Sequence, residues 1–120
     1  MSKIWIPDRG DMIWIDHNPQ AGREMRDVHP MLVLSPKKFN DRTGIIIGLP
    51  MTTAKSNDNN PFAVKLYNQE KKRTSYVLTH QPKSFDWRER GAKIHPWKKA
   101  PPEVLATACE LLNQIINLAE

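Results

Sequence analysis

Cysteine is nearly absent from this sequence: Cys109 is the single one in 120 residues. An internal disulfide framework is thereby excluded, and a reducing compartment fits best. Cys109 falls in an apolar-periodic segment, where a free thiol reads as a small buried hydrophobe. Long hydrophobic runs are missing as well. No stretch approaches the roughly 20 apolar residues of a membrane span, and Met1-Ser2-Lys3-Ile4-Trp5 lacks the apolar core of a secretory leader, so a cytoplasmic protein off the membrane is expected. Common catalytic signatures are absent too: no P-loop, dinucleotide fingerprint, Cys-x-x-Cys pair, His-Glu-x-x-His or Gly-x-Ser-x-Gly. The histidines His17, His29, His80 and His95 show no metal-ligand spacing, so no metal or other cofactor is expected.

A chain of 120 residues suits one domain, 1–120, with one modest core. Eighteen Lys and Arg against 13 Asp and Glu give a net charge of +5, which suits an anionic partner, either nucleic acid or an acidic protein segment. Five strand-length apolar runs fill the first two thirds: Met12 to Ile15, Met31 to Leu34, Ile45 to Leu49, Phe62 to Leu66 and Tyr76 to Leu78. Asn40-Asp41-Arg42-Thr43-Gly44 reads as a hairpin connection between the second and third. Met31-Leu32-Val33-Leu34 and Ile45-Ile46-Ile47 do not alternate with polar residues, as expected of strands covered on both faces. From Val104 to Ile116 the apolar period lengthens to three and four residues, an amphipathic helix that Pro101-Pro102-Glu103 is suited to start. Asp16 to His29, Ala54 to Pro61 and the basic stretch Lys83 to Lys99 remain as long polar connections, the usual carriers of function.

Those connections hold the groups that metal-free RNA cleavage requires. Attack of a 2′-hydroxyl on its own phosphodiester needs a base, an acid for the leaving oxygen, and donors for the charged pentacoordinate state. His17, Glu24, Arg26, His29 and Thr52 supply all three kinds, and an imidazole serves as acid or base near neutrality where a guanidinium only stabilises charge. Each also has a plainer reading: Glu24 and Arg26 as solvated loop charges, His17 as a strand-end hydrogen-bonding residue, Thr52 and Thr53 as turn residues satisfying backbone groups. The basic stretch interleaves Lys83, Arg88, Arg90, Lys93, Lys98 and Lys99 with Phe85, Trp87 and Trp97. That pattern fits a single-stranded nucleic-acid surface, and equally a solvated face whose tryptophans, Trp87 above all, turn to the core.

The ordered segments Pro7-Asp8-Arg9-Gly10-Asp11-Met12-Ile13-Trp14, Asn18-Pro19-Gln20-Ala21-Gly22-Arg23-Glu24 and His29-Pro30-Met31-Leu32-Val33-Leu34-Ser35-Pro36 carry a resemblance to a known family. It continues through Leu49-Pro50-Met51-Thr52-Thr53, Pro61-Phe62, Gln81-Pro82-Lys83-Ser84 and Trp87-Arg88-Glu89-Arg90-Gly91-Ala92. Over nearly its whole length the sequence resembles the MazF/PemK/Kid toxin endoribonucleases of type II toxin-antitoxin systems. The resemblance implies a mainly-β, SH3-like barrel with a C-terminal helix, assembled as a homodimer. It implies an mRNA interferase: metal-independent, sequence-specific cleavage of single-stranded mRNA to 2′,3′-cyclic phosphate and 5′-hydroxyl ends. It also implies a cognate antitoxin whose flexible, often acidic tail lies over the RNA groove. Thr52 matches the family's turn threonine. His29 stands where members generally carry an arginine, and His80 where they often carry an acid.

The resulting expectation is a catalytic set of His29, Thr52, Glu24, Arg26 and His80. An RNA-contacting set of His17, Thr53, Lys83, Trp87, Arg88 and Arg90 accompanies it. Exchange of arginine and acid for two histidines suggests an acid/base pair. A catalytically weak or inactive RNA- or antitoxin-binding module of the same fold, or a gyrase poison of the related CcdB type, stands as the alternative.

Overall fold

The computed structural model describes residues 4–19, 21–24 and 27–117. Arg26 lies outside them. Five strands form where the five apolar runs stand: β1 (Asp11–Asp16), β2 (Val28–Val33), β3 (Ile45–Thr52), β4 (Ala63–Asn68) and β5 (Arg73–Leu78). Two more, β6 (Lys83–Asp86) and β7 (Lys93–Lys99), lie inside the basic stretch expected to be a connection. The strand order is β4-β5-β3-β2-β1-β7, antiparallel throughout, with β6 also paired to β3. β3 changes partner along its length: Ile45 to Gly48 pair with β6, while Met51 and Thr52 pair with β5. That switch curls the sheet into a half-barrel. A Cβ on Gly48 would stand 2.3 Å from the Leu32 carbonyl oxygen, so only glycine permits the β2–β3 approach at this point.

The unbroken apolar runs follow from two cores, one on each side of β1, β2 and β3. Met12, Leu32, Leu49 and Met51 pack with Leu66 and Val77 against Val104, Ala108 and Leu112 of α2 (Pro102–Ile116). Their neighbours Ile13, Ile15, Met31, Val33 and Ile46 face the other way, onto Phe85 and Trp87. The C-terminal helix forms as its periodicity predicts, with Pro102 in its first turn and Glu103 beside it. Cys109 is half-buried rather than in the core, at the helix edge where the Arg9 guanidinium donates to its sulfur at 3.6 Å.

The expected hairpin at Asn40–Gly44 is instead the end of a helix, α1 (Lys37–Thr43). The residues that favour tight turns also stop helices, and Gly44 at φ 72° caps this one through its N–H to the Asn40 carbonyl at 3.1 Å. β2 and β3 are antiparallel all the same, with Leu32 opposite Leu49. Asn40 is buried, and its amide donates to the Pro7 and Ser35 carbonyls at 2.8 and 2.9 Å, tying α1 to the N-terminal segment. Between β3 and β4 the chain forms a short 3-10 turn, Lys55–Asn59, pinned by a hydrogen bond from the Tyr76 hydroxyl to Asp58.

Candidate active site

Strand direction decides where the polar groups gather. His29 is the second residue of β2, Thr52 closes β3, and His80 follows the end of β5, so antiparallel pairing brings all three to one end of the half-barrel. Glu24 reaches the same place from the β1–β2 loop. That loop is pinched at its base, where the Asn18 amide donates to Asp27 at 3.2 Å, the Asp27 N–H returns a bond to Asn18 at 3.0 Å, and the His17 N–H reaches the Asp27 carbonyl at 2.8 Å. Glu24 accepts the Ala21 N–H at 2.8 Å through one oxygen, while Lys83 stands 3.6 Å from the other.

Arg23, Glu24, His29, Thr52 and His80 line one cavity of about 550 Å³, together with Ser56, Asn57, Leu78 and Gln81. Four of the five expected catalytic residues therefore share one space, with Lys83 ion-paired to one of them. Thr52 accepts the Ala54 N–H at 3.2 Å, the plain turn role foreseen for it, and its hydroxyl proton stays available to donate. His80 is exposed, its ring 5.8 Å from that of Phe62. Arg23 was not singled out from the sequence, although its position next to Glu24 in a long loop was the available signal. Two imidazoles, a carboxylate, a hydroxyl and cations around one opening can exchange protons with a phosphodiester and hold its charge.

A second cavity, of about 440 Å³, lies on the other side of His29 and Thr52, which border both. Thr53 lines it, with Trp14, His95 and Trp97 as its aromatic wall and Lys71 and Arg73 as its cations. Sequence reading passed over most of these residues, because they come from three strands and a hairpin far apart in the chain.

Four of the expected RNA contacts are placed otherwise, by burial, by position or by structural engagement. His17 is fully buried, its ring 5.2 Å edge-on from Phe85 and 6.4 Å from His29, so it presents no atom to a ligand at the surface. Neither ring nitrogen meets a described partner at full hydrogen-bond geometry, and burial, helped by the charges of His29, Lys83 and Arg90 and partly offset by the nearby His29 backbone, pushes its pKa from 6.5 down to about 4. Trp87 is core, with its indole N–H donating to the Asn40 carbonyl at 2.8 Å. Arg88 lies over the Trp87 ring, 3.4 Å from Asp41, near the β3–β6 end that is opposite Thr52. Arg90 is engaged structurally: its guanidinium stacks on Phe85 at 4.2 Å and donates to the Asp16 and Asn18 carbonyls, tying down the β1–β2 loop.

Residues 8–116 match the family of PemK-like, MazF-like toxins of type II toxin-antitoxin systems. The chain belongs to that family. It is 42% identical over 92 residues to the endoribonuclease toxin MazF of Escherichia coli K12, covering 77% of this chain and 79% of that protein. A crystal structure of MazF from Deinococcus radiodurans superposes with a TM-score of 0.84 at 34% identity, covering 96% of this chain and all of the other. A chain of a MazE–MazF crystal structure from the same organism does so with a TM-score of 0.77 at 33% identity, covering 96% of this chain and all of the other. The curled antiparallel half-barrel with a C-terminal helix is thus the MazF fold. Among the described residues no helix is long and apolar enough to cross a membrane, and no three His, Cys, Asp or Glu side chains converge as metal ligands would.

Proposed function

We propose that this MazF/PemK homologue cleaves single-stranded mRNA in the cytoplasm without a metal, by attack of a 2′-hydroxyl on the adjacent phosphodiester. The observation that carries the reading is the convergence of Glu24, His29, Thr52 and His80 on one cavity from four separate segments. His29 and His80 act as the acid/base pair, one taking the 2′-hydroxyl proton and the other giving a proton to the leaving 5′-oxygen. Thr52 donates to a phosphoryl oxygen, Arg23 and Lys83 offset the charge of the pentacoordinate state, and Glu24 orients Lys83. An arginine in place of His29 can hold charge but not exchange a proton near neutrality, so the histidine shifts the chemistry toward proton transfer.

The test is incubation of purified protein with a defined RNA, mapping of the new 5′ ends, and repetition with His29→Ala. Cleavage leaving 5′-hydroxyl ends, unaffected by chelator and reduced at least 100-fold by His29→Ala, supports the reading. Undiminished cleavage by His29→Ala removes that residue from the mechanism, and binding without cleavage supports a non-catalytic module instead.

Two partners follow from the same reading. The net charge of +5 suits the acidic tail of an antitoxin, as does the pairing of MazF with MazE in the Deinococcus crystal structure. A homodimer is supported by large apolar side chains left at the surface: Phe39, Ile47, Ile115 and Ile116 are 37 to 45% exposed. Phe39 and Ile47 edge a hollow of about 460 Å³ floored by Leu34, Cys109 and Leu112. Sedimentation of Ile47→Arg as a monomer, against a wild-type dimer, tests that surface.

A further inference from the structure

The second cavity carries chemistry that the proton-transfer groups do not use. Trp14, His95 and Trp97 form a continuous aromatic wall, with ring centroids 4.9 Å apart for the first pair and 5.2 Å for the second. His95 is held in place by burial and by the Trp97 N–H, which donates to its Nδ1 at 3.1 Å. Opposite stand Lys71 and Arg73, both exposed, at the turn-proximal end of the β4–β5 hairpin. Neither forms an ion pair with a described residue, and no carboxylate is among the described residues lining the cavity. An aromatic wall facing cations with no acid between them selects a flat ring joined to an anion, which is the chemistry of an unpaired nucleotide. About 440 Å³ lies within the roughly 300–1,000 Å³ of small-ligand pockets.

We infer that this cavity is a nucleotide subsite for the RNA: Trp97 stacks on the base next to the cleaved bond, and Arg73 and Lys71 hold the following phosphate. The inference rests on the endoribonuclease reading for its ligand, and the link is geometric. His29 and Thr52 border both cavities, so a strand whose scissile phosphate sits over that pair has one neighbouring nucleotide on the Glu24 and His80 side and the other against Trp97. The subsite thereby sets base preference at one position on one side of the cut, while the groups in the first cavity set the rate.

The test compares wild type with Trp97→Leu, which retains apolar contact with the core that Trp97 packs against, and with the exposed-site variant Arg73→Gln. Cleavage is measured on a set of RNAs differing at the positions flanking the cut, and binding on the same RNAs made uncleavable by a 2′-O-methyl group. Trp97→Leu is expected to raise KM and the dissociation constant roughly 5- to 150-fold, with kcat little changed, and to flatten base preference at one flanking position. Arg73→Gln is expected to lower the salt slope of binding by about one and leave base preference intact. Thermal melts identify a Trp97 variant that fails to fold, in which case Arg73→Gln and Lys71→Gln decide. If wild type cleaves and these variants change neither KM, salt slope nor preference, the subsite is overturned and the endoribonuclease reading stands. If wild type binds but never cleaves, and Trp97→Leu still weakens binding, the endoribonuclease reading falls and the subsite stands. Loss of affinity for an acidic antitoxin peptide with RNA binding unchanged overturns the subsite and assigns the cavity to the protein partner.

Discussion

Replacing His17 with phenylalanine should remove a pH-dependent weakness built into the core. The imidazole is fully enclosed between Phe85 and His29, with no described partner at full hydrogen-bond geometry for either nitrogen, so folding favours its neutral form. Its pKa falls from 6.5 to about 4 on folding. Between those values the unfolded chain binds a proton that the folded chain refuses, so stability rises with pH across the window and this contribution is complete above 6.5. The gap between the two values is worth roughly 3 kcal/mol. Wild type should lose about that much more stability than His17→Phe when the pH drops from 7 to 4. Other groups whose pKa values are lowered on folding, the half-buried Asp8 carboxyl and the buried His95 among them, are common to both proteins and cancel in the difference. At pH 7 the substitution also relieves two unsatisfied nitrogens, worth about 1–3 kcal/mol, against a packing cost of similar size for the larger ring. The offset between the two proteins is therefore small while the slope is not. Urea unfolding of both at fixed protein concentration from pH 4 to 7.5 gives the comparison. Parallel curves of stability against pH would refute the reasoning, because they would mean that the imidazole is protonated or solvated in the folded state.

Gly48→Ala should destabilise the fold by about 2–4 kcal/mol, since its Cβ would collide with the backbone of Leu32 rather than with a movable side chain, and a thermal melt will read the loss. Asn40→Ala should cost about 2–4 kcal/mol by leaving the buried Pro7 and Ser35 carbonyls without their donor, measured by urea unfolding. Lys83→Met should retain the fold, because the stem is largely buried and only its tip pairs with Glu24, but should weaken RNA binding and lower its salt slope by about one.

Strands were legible wherever apolar residues ran together, because burial on both faces leaves an unmistakable unbroken run, as in Met31 to Leu34 and Ile45 to Ile47. β6 and β7 were hidden for the opposite reason. Their inward residues, Phe85 and His95, alternate with Lys, Asp and Pro, and the charges dominate the local pattern. Helix α1 was hidden by chemistry rather than by composition, since Asn, Asp and Gly serve both a turn and the end of a helix, and only the tertiary bonds of Asn40 decide between them.

The same limits act on the site. His29, Thr52 and His80 were found because each sits at a strand end beside a proline or turn signature, and antiparallel pairing gathers strand ends of one sense into one place. His17 and Trp87 carry the same local marks, a polar or aromatic residue beside a loop, yet their side chains point inward. Residue type in a loop motif therefore proposes chemistry, and side-chain direction disposes of it. His29 illustrates the distinction best: it lies on the surface of two cavities, two residues from the core residue Met31 and 6.4 Å from the buried ring of His17. Of two histidines at nearly the same place, one can meet a phosphate and exchange a proton with it, and the other is held neutral beneath it.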